Sequence, residues 1–138
     1  MKKKTLKKLF ITDDDSDILL LCKHCFKKSP EIEITYLKSG EATLKEALIS
    51  PPDMMLIDVM MPKMSGLDLI NALQLIPTLV HIPIILFTAK AQQTEIAEYT
   101  KLPGIVDVII KPFNPTLLAP TLLKIWDTFQ KDMKQGKQ

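Results

Sequence analysis

Short, uniformly apolar runs alternate along the chain with longer stretches whose apolar residues recur every three or four positions. Lys8 to Thr12, Met54-Met55-Leu56-Ile57 into Asp58, Ile84-Ile85-Leu86-Phe87 and Ile105 to Ile110 read as strands. The unbroken runs predict strands buried on both faces. Glu31 to Leu37 alternates with period two and suits a half-buried strand at a sheet edge. Between these lie helical stretches. Ile18, Leu21, Cys22, Cys25 and Phe26 mark the first, with Ser16 or Asp17 as its N-cap and Ser29-Pro30 as its stop. Ala42, Leu44, Ala47 and Leu48 mark the second, over Glu41 to Ile49. Leu67, Ile70, Leu73 and Leu75 or Ile76 mark the third, after Ser65-Gly66. A short polar helix follows over 93–101. The last runs from Thr116 to about Lys131 on Leu117, Leu118, Leu122, Ile125, Trp126 and Phe129, with Pro120 in its first turns.

Five strand–helix units in succession predict an α/β fold, a parallel five-stranded sheet with helices on both faces in three layers. They fill residues 8–132. Residues 1–7 read as a flexible basic lead and 133–138 as a flexible tail.

Composition sharpens this little. The 138 residues are 46% hydrophobic and 25% charged, as in an ordinary globular domain. A formal charge of +2 is too mild to point to nucleic acid, and the lysines at the two ends read as solvated. The basic start followed by Leu9-Phe10-Ile11 imitates an export signal but stops at once in Asp13-Asp14-Asp15. No stretch approaches a membrane span. A cytoplasmic setting with reduced thiols is expected for Cys22 and Cys25.

The chemistry gathers at the carboxyl ends of the strands, where open α/β sheets place their ligands. The first strand ends in Asp13-Asp14, the third in Asp58, the fourth in Thr88 and the fifth in Lys111. Parallel strands bring these ends to one edge. Three carboxylates in one crevice repel one another, and a hard divalent cation such as Mg²⁺ relieves that. Lys111 and Thr88 complete a site for the oxygens of a phosphoryl group, leaving Asp58 as the nucleophile toward phosphorus.

Four motifs in this order resemble the receiver domains of two-component response regulators. They are Leu9-Phe10-Ile11-Thr12-Asp13-Asp14-Asp15, Asp58-Val59-Met60-Met61-Pro62 through Gly66, Phe87-Thr88-Ala89, and Lys111-Pro112-Phe113. The resemblance covers nearly all of residues 8–130. It implies a flavodoxin-like (βα)₅ sandwich with strand order 2-1-3-4-5 and a cis Lys111–Pro112 peptide. Asp58 would be the phosphoacceptor. Asp14 would hold Mg²⁺ (or Mn²⁺) directly, Asp13 through water, and Met60 by its backbone carbonyl. Thr88 and Lys111 would hold phosphoryl oxygens. The phosphoryl group would come from a sensor histidine kinase or a histidine phosphotransfer protein.

A stand-alone receiver is expected, a monomer or a weak phosphorylation-dependent dimer. It would signal by protein contact or onward phosphotransfer, with the face of the fourth helix, fifth strand and fifth helix meeting the target. It is not a dedicated enzyme, since only self-phosphorylation and slow self-hydrolysis are implied. The alternative is a receiver-fold binding module that works without phosphorylation. Val108 stands where the family often has an aromatic switch residue, and Ser65 where an acidic or amide residue is common. Lys90, next to Thr88-Ala89, reads as a rim charge.

Other readings are weaker. As an EF-hand, Asp13 to His24 has Ile18 at the glycine position and His24 at the closing glutamate. As a haloacid-dehalogenase-type phosphatase, Asp13 and Asp15 would be followed by Asp17 where threonine or valine is expected, with little chain left for a cap. Cys22-Lys23-His24-Cys25 lies inside a helix without a second ligand pair, so both cysteines read as small core residues. Met60, Met61 and Met64 offer adaptable docking contacts beside Asp58.

Overall fold

The computed structural model describes residues 4–89 and 93–136. In chain order the elements are β1 (Lys8–Thr12), α1 (Ser16–Cys25), β2 (Glu33–Leu37), α2 (Gly40–Ile49), β3 (Met54–Asp58), α3 (Gly66–Gln74), β4 (Ile84–Thr88), α4 (Gln93–Thr100), β5 (Ile105–Ile110) and α5 (Pro115–Lys134). The strands form one parallel sheet in the order β2-β1-β3-β4-β5, as the resemblance implies.

Period-two alternation sends each strand's side chains to two separate cores. Leu9, Ile11, Leu56 and Phe87 meet Leu19 and Cys22 of α1 and Leu118, Leu122 and Trp126 of α5. Phe10, Met55, Ile57 and Leu86 meet Ala47 of α2 and Leu69, Ile70 and Leu73 of α3. β3 and β4 are buried along their whole length, which is why their sequences carry no alternation. The edges differ. β2 is half-buried, and β5 bulges at Val106, since Ile84 pairs with Ile105 but Ile85 with Asp107.

Several local expectations need correction. The N-cap of α1 is Asp15, not Ser16 or Asp17: its carboxylate accepts from Asp17 N at 2.9 Å. The Asp13 carboxylate accepts from Asp15 N at 2.9 Å and turns the chain earlier. Because α1 starts at Ser16, residues 13–24 cannot form a calcium loop. In α2 the buried positions are Gly40, Thr43 and Ala47, while Leu48 is exposed. In α3 Leu69 joins Ile70 and Leu73 inside, and Leu75 stands in solvent. Leu117 of α5 is exposed too. α5 runs through Lys134 with Pro120 inside it, so the expected tail begins as helix.

The lead, expected to be loose, is fastened over residues 4–7. Leu6 is buried, and the Trp126 indole donates to the Lys4 carbonyl at 2.9 Å. Asp53 accepts from Lys7 N at 3.0 Å and Lys8 N at 2.9 Å and pairs with Lys4 Nζ at 3.1 Å. Burial tends to raise the Asp53 carboxyl; the backbone hydrogen bond from Lys7 and the contacts of Lys4 and Lys8 outweigh it, so its pKa lies below the usual value. Among the described residues no helix is long and apolar enough to cross a membrane.

Candidate functional site

The carboxyl ends of β1, β3, β4 and β5 deliver the groups singled out in the sequence. Asp13 leaves β1 fully buried, with its N–H donating to the Leu37 carbonyl at 3.0 Å. Asp58 closes β3 and is 4% exposed. Lys111 follows β5, and its N–H donates to the Thr88 carbonyl at 2.7 Å, tying the ends of β4 and β5. The Lys111–Pro112 peptide is cis.

These groups converge. Lys111 Nζ donates to Asp13 Oδ2 at 2.6 Å and to Asp58 Oδ1 at 3.2 Å. Its ammonium lies 4.8 Å from the centre of the Phe87 ring, which is itself packed on Phe113 at 5.1 Å. The Phe87 ring, backed by Phe113, is an apolar surface against the lysine. Phe87 and Phe113 belong to the motifs quoted from the sequence, but their stacking beside the lysine is not legible there, because ring contacts leave no periodic signal. Asp14 is exposed, yet one of its carboxylate oxygens lies with those of Asp13 and Asp58 within 4.8 Å of one another. No other group of three potential metal ligands occurs among the described residues.

The electrostatics are strained in one direction. Burial, and then the charge of Asp13, push the Asp58 carboxyl up to about 6, against the opposing charge of Lys111. Burial alone would lower the Lys111 ammonium. The hydrogen bond and charge of Asp13, with Asp58 behind it, outweigh that and raise its pKa. One lysine therefore does not neutralise the crevice. A set of clustered carboxylate oxygens with excess negative charge suits a hard cation and no soft one. The residues present fit a metal of that kind.

The remaining candidates fall into place around this centre. Thr88 is 4% exposed, with its hydroxyl donating to the Ala89 carbonyl at 3.2 Å. The Met60 side chain is 74% exposed, Met61 is buried and Met64 half-buried. Val108 pairs in register with Leu86 and packs half-buried in the second core. Lys90 lies outside the described residues. Cys22 is buried and Cys25 partly so. Burial, with Cys25 and Asp13 nearby, pushes the Cys22 thiol up to about 12, and burial raises Cys25 as well. The shift favours the protonated thiol in both.

Comparison with known proteins gives the same answer from three directions. A family model described as the response regulator receiver domain matches residues 9–122. The response regulator SaeR of Staphylococcus epidermidis is 36% identical over 111 residues, which are 80% of this chain and 46% of SaeR. The alkaline phosphatase synthesis transcriptional regulatory protein PhoP of Bacillus subtilis is 33% identical over 109 residues, 79% of this chain and 44% of PhoP. The chain thus spans less than half the length of these two relatives. Among solved structures, the Vibrio cholerae chemotaxis protein CheY4 superposes with a TM-score of 0.78 at 25% identity, over 88% of this chain and 99% of that one. With the strand order and the convergent strand-end groups, these matches establish that the chain belongs to the receiver domains of two-component response regulators.

Proposed function

We propose that Asp58 is the residue that accepts the phosphoryl group, from a phosphohistidine on a sensor kinase or a phosphotransfer protein. The observation that carries this is the placement of Asp58. It is a buried carboxylate at the end of the central strand, 3.2 Å from a lysine ammonium and clustered with two further carboxylates. An Asp58 oxygen attacks phosphorus, the bond from phosphorus to the donor imidazole nitrogen breaks, and its electron pair stays on that nitrogen. The products are an acyl phosphate and a neutral imidazole, the donor ring's other nitrogen carrying a proton as the bond breaks. Asp14, Asp13, Asp58 and the Met60 carbonyl would hold Mg²⁺ or Mn²⁺, which when bound supplies charge neutralisation for the phosphoryl oxygens. Lys111 carries a second positive charge to those oxygens, and Thr88 turns its hydroxyl to donate to one of them.

The raised pKa of Asp58 bears on this role. A carboxyl near 6 is ionised at neutral pH yet poorly neutralised, so the folded protein gains from any cation placed beside it. Output follows from a shift between two conformations, the favoured one binding a target through the α4, β5 and α5 face. Contact with a partner or onward phosphotransfer in the cytoplasm is the mode of signalling we favour.

Intact-mass spectrometry after incubation with acetyl phosphate tests the reading. One phosphoryl adduct is expected, dependent on Mg²⁺ and absent in Asp58→Asn. No adduct on folded wild-type protein overturns it in favour of a binding module that works without phosphorylation. Val108 fits that alternative, because it has no ring to swing between buried and exposed positions.

A further inference from the structure

The first turn of α2 supplies no member of the site but contacts the residue that precedes Asp13 and the loop that follows Asp58. On one side it reaches β1. Thr12 Oγ1 and Thr43 Oγ1 lie 2.7 Å apart, both residues fully buried. Thr43 spends its only hydroxyl hydrogen on the Ser39 carbonyl, at 2.8 Å. The hydrogen between the two threonines therefore belongs to Thr12. A directed chain results, from Thr12 to Thr43 to the backbone of the α2 N-cap. Thr12 is the last residue of β1, and Asp13 is the next residue along.

On the other side the same turn meets the loop after Asp58. A Cβ at Gly40 would stand 2.8 Å from Met64 Cγ and Sδ and 3.0 Å from Met64 Cβ, so only a glycine lets Met64 lie this close. Met64 is two residues before Gly66, which packs directly on the Asp58 carbonyl. The turn thus lies between the strand end that carries Asp13 and Asp14 and the loop that carries Met60.

We propose that the first turn of α2 is a brace that sets the spacing of the cation site, with Thr43 and Gly40 as its positioning residues. The inference rests on the cation reading of Asp13, Asp14 and Asp58 given above. Spacing matters unequally to different cations. Mg²⁺ demands near-ideal octahedral ligands at about 2.0–2.1 Å, whereas Ca²⁺ accepts irregular oxygen sets at about 2.3–2.6 Å. Loosening the brace weakens Mg²⁺ more than Ca²⁺. A hydroxyl pair merely stabilising the fold would leave that ratio alone.

Calorimetric titration of the folded protein with Mg²⁺ and with Ca²⁺ provides the test. Thr43→Val keeps the volume but removes the partner of the buried Thr12 hydroxyl. Mg²⁺ binding is expected to weaken about 3–10-fold, at and below the range seen for groups that orient metal ligands from behind. Ca²⁺ binding is expected to change less than about twofold, and Thr43→Ser to restore the wild-type ratio. Gly40→Ala, which pushes Met64 toward the Asp58 loop, shifts the same ratio and decides the matter should Thr43→Val not fold. An unchanged Mg²⁺ to Ca²⁺ ratio in folded Thr43→Val, or in Gly40→Ala if that variant must decide, overturns the brace. Wild-type protein that binds neither cation overturns the cation reading itself, a different failure with a different signature.

Discussion

Gly66→Ala probes the contact on which the position of Asp58 depends. An alanine Cβ there would fall 2.3 Å from the Asp58 carbonyl oxygen, 2.9 Å from Val59 Cα and 3.0 Å from the Asp58 carbonyl carbon. All three are backbone atoms, so no side chain can rotate away. A carbon and an oxygen without a stronger bond settle near about 3.3 Å. The end of β3 and the start of α3 must therefore separate by about 1 Å. Gly66 N is bonded to the Val59 carbonyl at 2.9 Å and Val59 N to the Phe87 carbonyl at 3.0 Å, so the movement also strains both bonds. Overpacking of this kind costs about 1–3 kcal/mol, and the contact distances place Gly66→Ala at the upper end. Gly40→Ala meets only side-chain atoms of Met64, but Met64 Cβ is among them at 3.0 Å, so part of the strain passes to the Met64 loop and the cost is about 1 kcal/mol. Urea unfolding reports the difference, followed by the single tryptophan, Trp126, which is 3% exposed. The Gly66→Ala melting temperature is expected to fall by about 6–12 °C. Misplacing a nucleophile by about 1 Å costs about 100-fold in rate, so phosphorylation by acetyl phosphate should slow to that extent under conditions where the variant is folded. A wild-type midpoint with a wild-type rate refutes the argument. A lowered midpoint with a wild-type rate shows that α3 yields and Asp58 stays in place.

Two further predictions follow from the site and from a helix end. In metal-free protein the Asp58 carboxyl is pushed up to about 6, above the ordinary aspartate value of about 4, so between these values the folded state binds more protons than the unfolded one. Its contribution is favourable below about 4 and is lost as pH rises through about 6, by at most about 3 kcal/mol. The wild-type minus Asp58→Asn difference in unfolding free energy should therefore decline from pH 4 to 6.5, and Mg²⁺ should reverse the decline at pH 7. A flat difference sinks the assignment. Asn114 caps α5 by accepting from Thr116 N at 3.0 Å. Asn114→Ala should lower the urea-derived stability by about 1 kcal/mol, and an unchanged midpoint would show that the cap contributes nothing.

The strand-end groups are legible in the sequence because buried parallel strands are written as unbroken apolar runs. The polar residues that close each run mark the edge where ligands sit. That logic finds Asp13, Asp58, Thr88 and Lys111 without reference to the helices. Helix faces are harder. Ile18 to Leu21 is apolar on every side, so the pattern does not fix which way α1 turns, and Leu19 goes inside while Leu20 is 55% exposed. Thr43 reads as polar, yet it is fully buried because Thr12 and the Ser39 carbonyl satisfy its hydroxyl. That partnership spans 31 residues and leaves no local trace. Lys4, Lys7 and Lys8 look like a solvated run. Asp53, immediately before the neighbouring strand β3, pairs with the Lys4 ammonium and takes the backbone N–H groups of Lys7 and Lys8, again by contacts remote in sequence.

The bulge at Val106 bears on how the edge of the sheet can pair with another strand. β5 is an outer strand, and an outer strand offers its free backbone groups to any neighbour that lies alongside. Here the ladder is stepped: the phase set by Ile105 is broken at Val106 and begins again at Asp107. An incoming strand can follow residues 107–110 but cannot continue past the step, and Asp107 sets a carboxylate at its start. So short a pairing gives sheet-to-sheet polymerisation little to propagate on. The opposite edge, β2, opens on exposed Glu33. Each of the two outermost strands thus carries a feature that disfavours edge-to-edge pairing, the step at Val106 in β5 and the exposed charge of Glu33 in β2.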